Sequence, residues 1–219
     1  SKNGGHAKLD SDTWFLSLYG AFNYDAWQAE ITLTYGDSSN ESDTAYKSFG
    51  ASTSGDFHTK HYGANLTVGY EIPLTERISM TPFTGVLYYH GAQDSYTESQ
   101  NSGGFMPLAR SIDSADYDSL EVPLGLRFDG TWELGPNSSI TPSLSLAYAH
   151  EFLDEGGQIK ARLTDGSDTW TADSVNPGRD ALLVDAGINV NINENVELGA
   201  GSALALRHDY MANQVRLTF

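Results

Sequence analysis

Seven charged residues stand singly in stretches of otherwise small or neutral side chains: the acids Glu30, Glu71, Glu121 and Asp185, and the bases Arg127, Arg207 and Arg216. A carboxylate in a confined, poorly solvated place acquires a raised pKa and can act as a general acid or base. The simpler chemistry is pairing, in which carboxylates and guanidiniums on one face satisfy each other and none is left for catalysis. Pairing is the expectation adopted, and no catalytic residue is assigned. A serine nucleophile needs a histidine beside it. Ser202 and His208 are the pair considered on one strand, and six residues at roughly 3.3 Å each hold them about 20 Å apart, too far to touch. The histidines His6, His58, His61, His90, His150 and His208 show no metal-ligand spacing, and cysteine is absent, so no thiolate site exists. Asp10-Ser11-Asp12 and Asp165-Gly166-Ser167-Asp168 have the composition of weak cation sites, but Asx turns account for both. The expectation is no metal and no cofactor.

Whether the seven charges share a face depends on the elements that carry them. Apolar residues recur at period two along the chain, and no segment shows the 3.6-residue period of a helix. Trp14, Leu16, Leu18, Phe22 and Tyr24 lie on one face of a strand beginning near Thr13. After a turn at Asp25, Trp27, Ala29, Ile31, Leu33 and Tyr35 oppose Gln28, Glu30, Thr32 and Thr34. A polar stretch from about Asp37 to Phe57 reads as a long loop. Tyr62, Ala64, Leu66, Val68 and Tyr70 then form one face of the next strand. The strand from Ile78 to about Gly91 alternates less cleanly, because Phe83, Leu87 and Tyr89 fall on its polar side. A second loop, about Ala92 to Asp118, precedes strands over Ser119 to Asp129 and Ile140 to Ala149. The excursion from about Asp154 to Asp180 holds two short pieces, Gln158 to Thr164 and Thr169 to Val175, expected to stand out of the sheet as a hairpin. Ala181 to Ile192, Val196 to His208 and Met211 to Phe219 complete the set.

The face opposite the apolar one decides between architectures. In a soluble sandwich it would meet solvent and carry many Lys, Glu and Thr. Here it is rich in glycine and small residues, with the seven isolated charges of both signs, as in a narrow, wet barrel interior. Turns at Asp25, Thr75, Gly135 and Asn193 are short, whereas the excursions after Gly36, Gly91 and Leu153 are long, the asymmetry of an outer-membrane barrel. Only Asp209-Tyr210 is short on the long-loop side. The fold class is therefore all-β, an antiparallel up-and-down transmembrane β-barrel. Nine strands are counted, or eleven with the excursion hairpin, and both numbers are odd where bacterial barrels have even ones. Upstream strands are expected to be missing from this chain. Trp14, Tyr24, Trp27, Tyr35, Tyr70 and Tyr148 are candidates for the interfacial aromatic girdle. Arginine at Leu124 or Val184 is expected to be costly, and arginine at Gly125 or Asn189 less so.

Composition excludes one class of partner. The 219 residues include 29 Asp or Glu against 12 Lys or Arg, a net charge of -17, and a nucleic-acid binder gains its affinity from the opposite excess. No run approaches 18 apolar residues, and no signal-peptide h-region stands at the start, so the numbered chain reads as mature or as a piece of something longer. The acids concentrate in the supposed exterior: Asp37, Glu41, Asp43 and Asp56 against Lys47, and Asp94, Glu98, Asp113, Asp116 and Asp118 against Arg110.

The run Pro177-Gly178-Arg179-Asp180-Ala181-Leu182-Leu183-Val184, with Gly187, Asn195-Val196-Glu197-Leu198 and the terminal Arg216-Leu217-Thr218-Phe219, resembles the C-terminal translocator domain of bacterial autotransporters. Leu18-Tyr19-Gly20, Gly69-Tyr70, Thr81-Pro82-Phe83 and Leu124-Gly125-Leu126-Arg127 are similar to it as well, in the same order. The resemblance implies a twelve-stranded barrel threaded by a helix, of which this chain would supply strands four to twelve, without the first three strands and the linker helix. It implies residence in outer-membrane lipid and export of the protein's own N-terminal passenger to the cell surface. In that family, lumen carboxylates of some members cut the passenger near a linker Asn. Val215, Leu217 and Phe219 resemble the signal read by the barrel-assembly machinery, although Thr218 stands where the family usually has a basic residue. The alternatives are a non-translocating barrel, a porin or adhesin with acidic surface loops, and a soluble β-sandwich binding module.

Overall fold

The computed structural model describes residues 6–218, apart from 104, 105, 154–156, 167, 174–177, 194, 195 and 209. Phe219, Pro177, Asn195, Ser167 and the expected strand end at Val175 lie outside the described residues. Nine antiparallel strands follow one another as neighbours: β1 (His6–Tyr24), β2 (Trp27–Tyr46), β3 (Ala51–Tyr70), β4 (Ile78–Gln93), β5 (Ala115–Gly130), β6 (Ser138–Glu151), β7 (Asp180–Asn193), β8 (Val196–Leu206) and β9 (Met211–Thr218). Strand order equals chain order, as in an up-and-down barrel wall. Among the described residues, β1 and β9 are not paired with each other, so the wall is open.

The two loops expected over Asp37 to Phe57 and Ala92 to Asp118 are corrected by the structure. β2 and β3 pair without a break from Trp27↔Tyr70 to Tyr46↔Ala51, closed by a 3₁₀ turn at Lys47–Phe49 and by Gly50 at φ 59°. β1 follows β2 equally far, from Tyr24↔Trp27 to His6↔Ala45, so its start near Thr13 was placed too late. Each of β2 and β3 has 20 residues, about twice the 9–11 that a tilted strand needs to cross a membrane. Their outer halves must therefore stand clear of the bilayer. Water on both faces removes the alternation there, while backbone pairing continues. The excursion hairpin is found at Gln158–Leu163 and Thr169–Asp173 and does stand out of the wall. It is joined by Arg110–Ile112 and Tyr96–Thr97, from inside the second expected loop, to make a separate four-stranded sheet.

Burial in the wall is inverted relative to a soluble protein. Leu124 is 67 % exposed and Tyr148 53 %, whereas the apolar residues buried among the described residues of the wall are alanines: Ala51, Ala147, Ala149 and Ala181. Along β6, the large side chains Leu144, Leu146 and Tyr148 face out, and the small Ala147 and Ala149 lie covered on the other side. A sandwich would hide the first set against a second sheet. Water would make the observed arrangement unfavourable by about 25 cal/mol for each Å² of apolar surface, and hydrocarbon removes that penalty.

Candidate functional site

Strand parity places all seven expected charges on the small-residue face, and side-chain contacts show which way the sheet bends. Arg127 on β5 donates from Nη2 to Oε1 of Gln28 on β2 over 2.6 Å, although β3 and β4 lie between them. Three strand spacings make roughly 14 Å in a flat sheet, so the wall must curl toward this face. Arg207, just past β8, reaches across β6 and β7 to pair with Glu121 on β5. The polar face is therefore concave.

Two polar networks cross the concavity. In the first, Arg127 donates from Nε to Asp129 Oδ2 at 2.8 Å and grips Gln28, whose Nε2 donates to Glu71 Oε2 at 2.9 Å. Glu30 and Arg127 line the same cavity of about 100 Å³ with Gln28, Thr67, Thr81 and Phe83. The second joins Glu121 to Arg207, which also donates to the Gly178 carbonyl at 3.1 Å, beside a cavity of about 420 Å³ bordered by Thr32, Asn65 and Ser119. Arg216 pairs with Asp185 nearer the open edge. Glu121, Asp185, Arg207 and Arg216 thus meet as two acid–base pairs, while Arg127 and Glu71 are linked through Gln28 rather than directly.

One expected consequence of a wide interior does not hold at Gly125. A Cβ there would lie 2.6 Å from both the Leu146 carbonyl oxygen and the Phe83 ring. Phe83, an exception to the sequence alternation, lies on the concave side and fills the space that Gly125 leaves. Asn189 is exposed and remains the open position.

The Ser–His contact in this structure is not the expected pair. Ser38 Oγ lies 2.8 Å from His61 Nε2, and His61 Nδ1 lies 2.7 Å from the Tyr89 hydroxyl, on the concave side where the wall leaves the apolar band. Ser38 also contacts Thr13 Oγ1 at 2.7 Å, so the contacts form a cross-strand polar chain. Sequence spacing gave no sign of it, because β1 to β4 bring these residues together only through register.

Outside, the small sheet is fastened to the projecting hairpin. Arg110 donates from Nε to Glu98 Oε2 at 2.9 Å and forms a second bond from Nη2, and the Glu98 side chain is fully buried. Bonding to Glu98 raises the guanidinium pKa further above its ordinary value. Phe57 of β3 stacks on Tyr96 with centroids 4.5 Å apart, and burial pushes the Tyr96 hydroxyl pKa up.

The convex face carries aromatic residues at two levels. Trp27 meets Tyr70 near the short turns, with ring centroids 5.1 Å apart. Tyr35 meets Tyr62 at 5.3 Å, with Trp14 against Tyr35 at 5.5 Å. Trp27 and Tyr35 are eight residues apart, about 26 Å along the strand and roughly 20 Å in height at a 40° tilt. Only Ala29, Ile31 and Leu33 lie between them on that face of β2. This matches the apolar band of an outer-membrane barrel with its two girdles.

Comparisons with known proteins agree with this geometry. The translocator domain of the autotransporter NalP from Neisseria meningitidis superposes with a TM-score of 0.64 at 16 % identity, covering 98 % of this chain and 66 % of that one. An extracellular serine protease of Serratia marcescens is 26 % identical over 98 % of this chain. A probable outer membrane protein, pmp8, of Chlamydia pneumoniae is 27 % identical over 80 % of it. The chain spans 20 % and 18 % of the lengths of those two relatives, respectively. The family model described as the autotransporter beta-domain matches residues 1–202. With its inverted nine-strand wall, wet concave face and aromatic girdles, the chain belongs to the autotransporter beta-domain family, whose place is the bacterial outer membrane.

Proposed function

We propose that this chain is the larger part of the barrel through which an N-terminal passenger reaches the cell surface and by which it stays anchored there. The observation that carries the reading is the concave polar face, whose charges reach across several strands on the side of the wall opposite the apolar band. The chain serves as conduit and anchor rather than catalyst, and Glu30, Glu71, Glu121, Arg127, Asp185, Arg207 and Arg216 line the lumen. Further strands, expected to be three, pair with the open edges of β1 and β9, because unpaired edges are not tolerated in hydrocarbon. Val215 and Leu217, 76 % and 72 % exposed on the convex face, form with Phe219 the handle for the barrel-assembly machinery.

Protease shaving of intact cells tests the reading. Passenger should be released from cells carrying the intact protein and should stay inside cells in which β5 to β9 are deleted. Surface-exposed passenger in the deletion strain would overturn the proposal. Removing Phe219 alone should lower the amount of assembled barrel, and unchanged assembly would remove that residue from the signal.

A further inference from the structure

Each pair of strands joined at its outer end, β2 with β3, β4 with β5 and β6 with β7, carries a histidine facing an aspartate across the ladder. On β2 and β3, His58 Nδ1 lies 3.3 Å from Asp37 Oδ1. His90 Nδ1 lies 3.0 Å from Asp118 Oδ1 between β4 and β5, and His150 Nδ1 lies 2.8 Å from Asp180 Oδ1 between β6 and β7. Strand parity puts all three pairs on the convex face. In two of them a tyrosine two residues before the histidine also donates to the same carboxylate, Tyr88 to Asp118 at 2.7 Å and Tyr148 to Asp180.

The pairs lie close to one height. Strands tilted by roughly 40° and spaced about 4.8 Å apart shift by about 1.2 residues per strand when followed at a constant level. The ladder row through Asp37 runs to Lys60, Ala92 and Asp116. His58 lies two residues above that row after one strand, His90 two residues below it after two, and His150, partner of Val122, six residues below it after four. This level is just outside the Tyr35 and Tyr62 girdle, where lipid headgroups begin.

We propose that these three pairs form a proton-gated belt whose preference for the anionic phosphates of lipid headgroups in the outer leaflet rises on protonation, as the excess of negative charge there falls. The inference rests on the outer-membrane placement of the barrel. In each pair the carboxylate faces Nδ1 and fixes the tautomer with the proton there, so Nε2 on the far side of the ring is an acceptor when the imidazole is neutral. Each neutral pair then presents net negative charge to phosphate. Protonation cancels that charge and turns Nε2 into a donor pointing away from the carboxylate. The other charged and titratable groups at this level are Lys60, Glu41, Asp56 and Asp94 around His58; Lys60, Tyr62, Tyr88 and Asp116 around His90; and Tyr148, Arg179 and His208 around His150 and Asp180, so that acids still outnumber bases when the imidazoles are protonated.

The test uses the intact outer-membrane protein in phosphatidylcholine vesicles, with spin-labelled phosphatidylglycerol and spin-labelled phosphatidylcholine as probes. The preference for phosphatidylglycerol should rise about fivefold between pH 8 and pH 5.5, as expected for a unit charge near an anionic surface. It should stay flat in the H58Q/H90Q/H150Q variant, while D37N/D118N/D180N should already show a raised preference at pH 8. Insertion of every variant is checked by heat-modifiable gel mobility, and if the triple variant does not insert, single H150Q replaces it and should lower the rise without abolishing it. A flat wild-type profile, or an unchanged rise in the histidine variant, would overturn the belt. Displacement by excess inorganic phosphate would show that the site reads phosphate rather than lipid and would overturn the lipid assignment. Failure of the wild type to insert would sink the membrane placement and the belt together.

Discussion

The two halves of β2 share one backbone ladder and differ in almost everything else. From Trp27 to Tyr35 the convex positions are Trp27, Ala29, Ile31, Leu33 and Tyr35; from Asp37 to Ala45 they are Asp37, Ser39, Glu41, Asp43 and Ala45. Pairing with β3 continues through both without a register shift. Strand formation therefore does not require the apolar alternation, which reports the solvent on the convex side. The halves also hold their concave sides differently. The lower half leaves cavities crossed by Arg127 and Gln28, while the upper half packs small polar groups, with Ser38 and Asn40 only 4 % and 9 % exposed and Asn40 Nδ2 donating to Thr59 Oγ1 at 3.1 Å. Hydrogen bonding lets these groups be covered without loss.

The difference can be broken most severely from the lipid side. L124R or V184R should cost roughly 2 to 4 kcal/mol, as charged substitutions do near the midplane of a membrane barrel, read by denaturant unfolding in bilayers. Arginine at the concave Asn189 should cost less than half as much, and equal damage at both sites would mean that both faces are packed against protein. In the outer half the largest effect should come from Glu98. E98Q removes the charged partner of Arg110 and should cost about 2 kcal/mol locally. Faster amide exchange at 110–112 with unchanged exchange in the lower half of β2 would confirm that the outer sheet opens separately, whereas faster exchange in both would show one cooperative unit. The smallest effect is expected on the convex side of the projecting hairpin. S39R should change stability by no more than about 0.5 kcal/mol, and a cost like that of L124R would place this segment in hydrocarbon.

The membrane-spanning part of the wall was legible because lipid imposes period two. Leu120, Val122, Leu124 and Leu126 declare both the strand and its exposed face. The projecting half of β2 and β3 was not legible: Ser, Asp and Thr at every position look the same in a wet strand and in a loop. The concave charges could be assigned to a face from parity alone, but their partners could not, because Arg127 finds Gln28 only after the wall curls. The His–Asp pairs were hidden for a related reason. His90 and Asp118 are 28 residues apart, and nothing local ties them until the β4 and β5 register is set. Gly125 shows the limit of reading a face as open, since the neighbouring strand supplies the Phe83 ring that occupies its space.

The most direct measurement is a spin-label scan of residues 119 to 128 on β5 in the reconstituted protein, comparing collision with oxygen, which partitions into lipid, and with a water-soluble nickel chelate. Labels at 120, 122, 124, 126 and 128 should collide mainly with oxygen, and those at 119, 121, 123 and 127 should show little of that lipid exposure. Absence of this two-residue alternation, or alternation with the opposite phase, would contradict a wall that turns its apolar face to the membrane and its charges to a lumen.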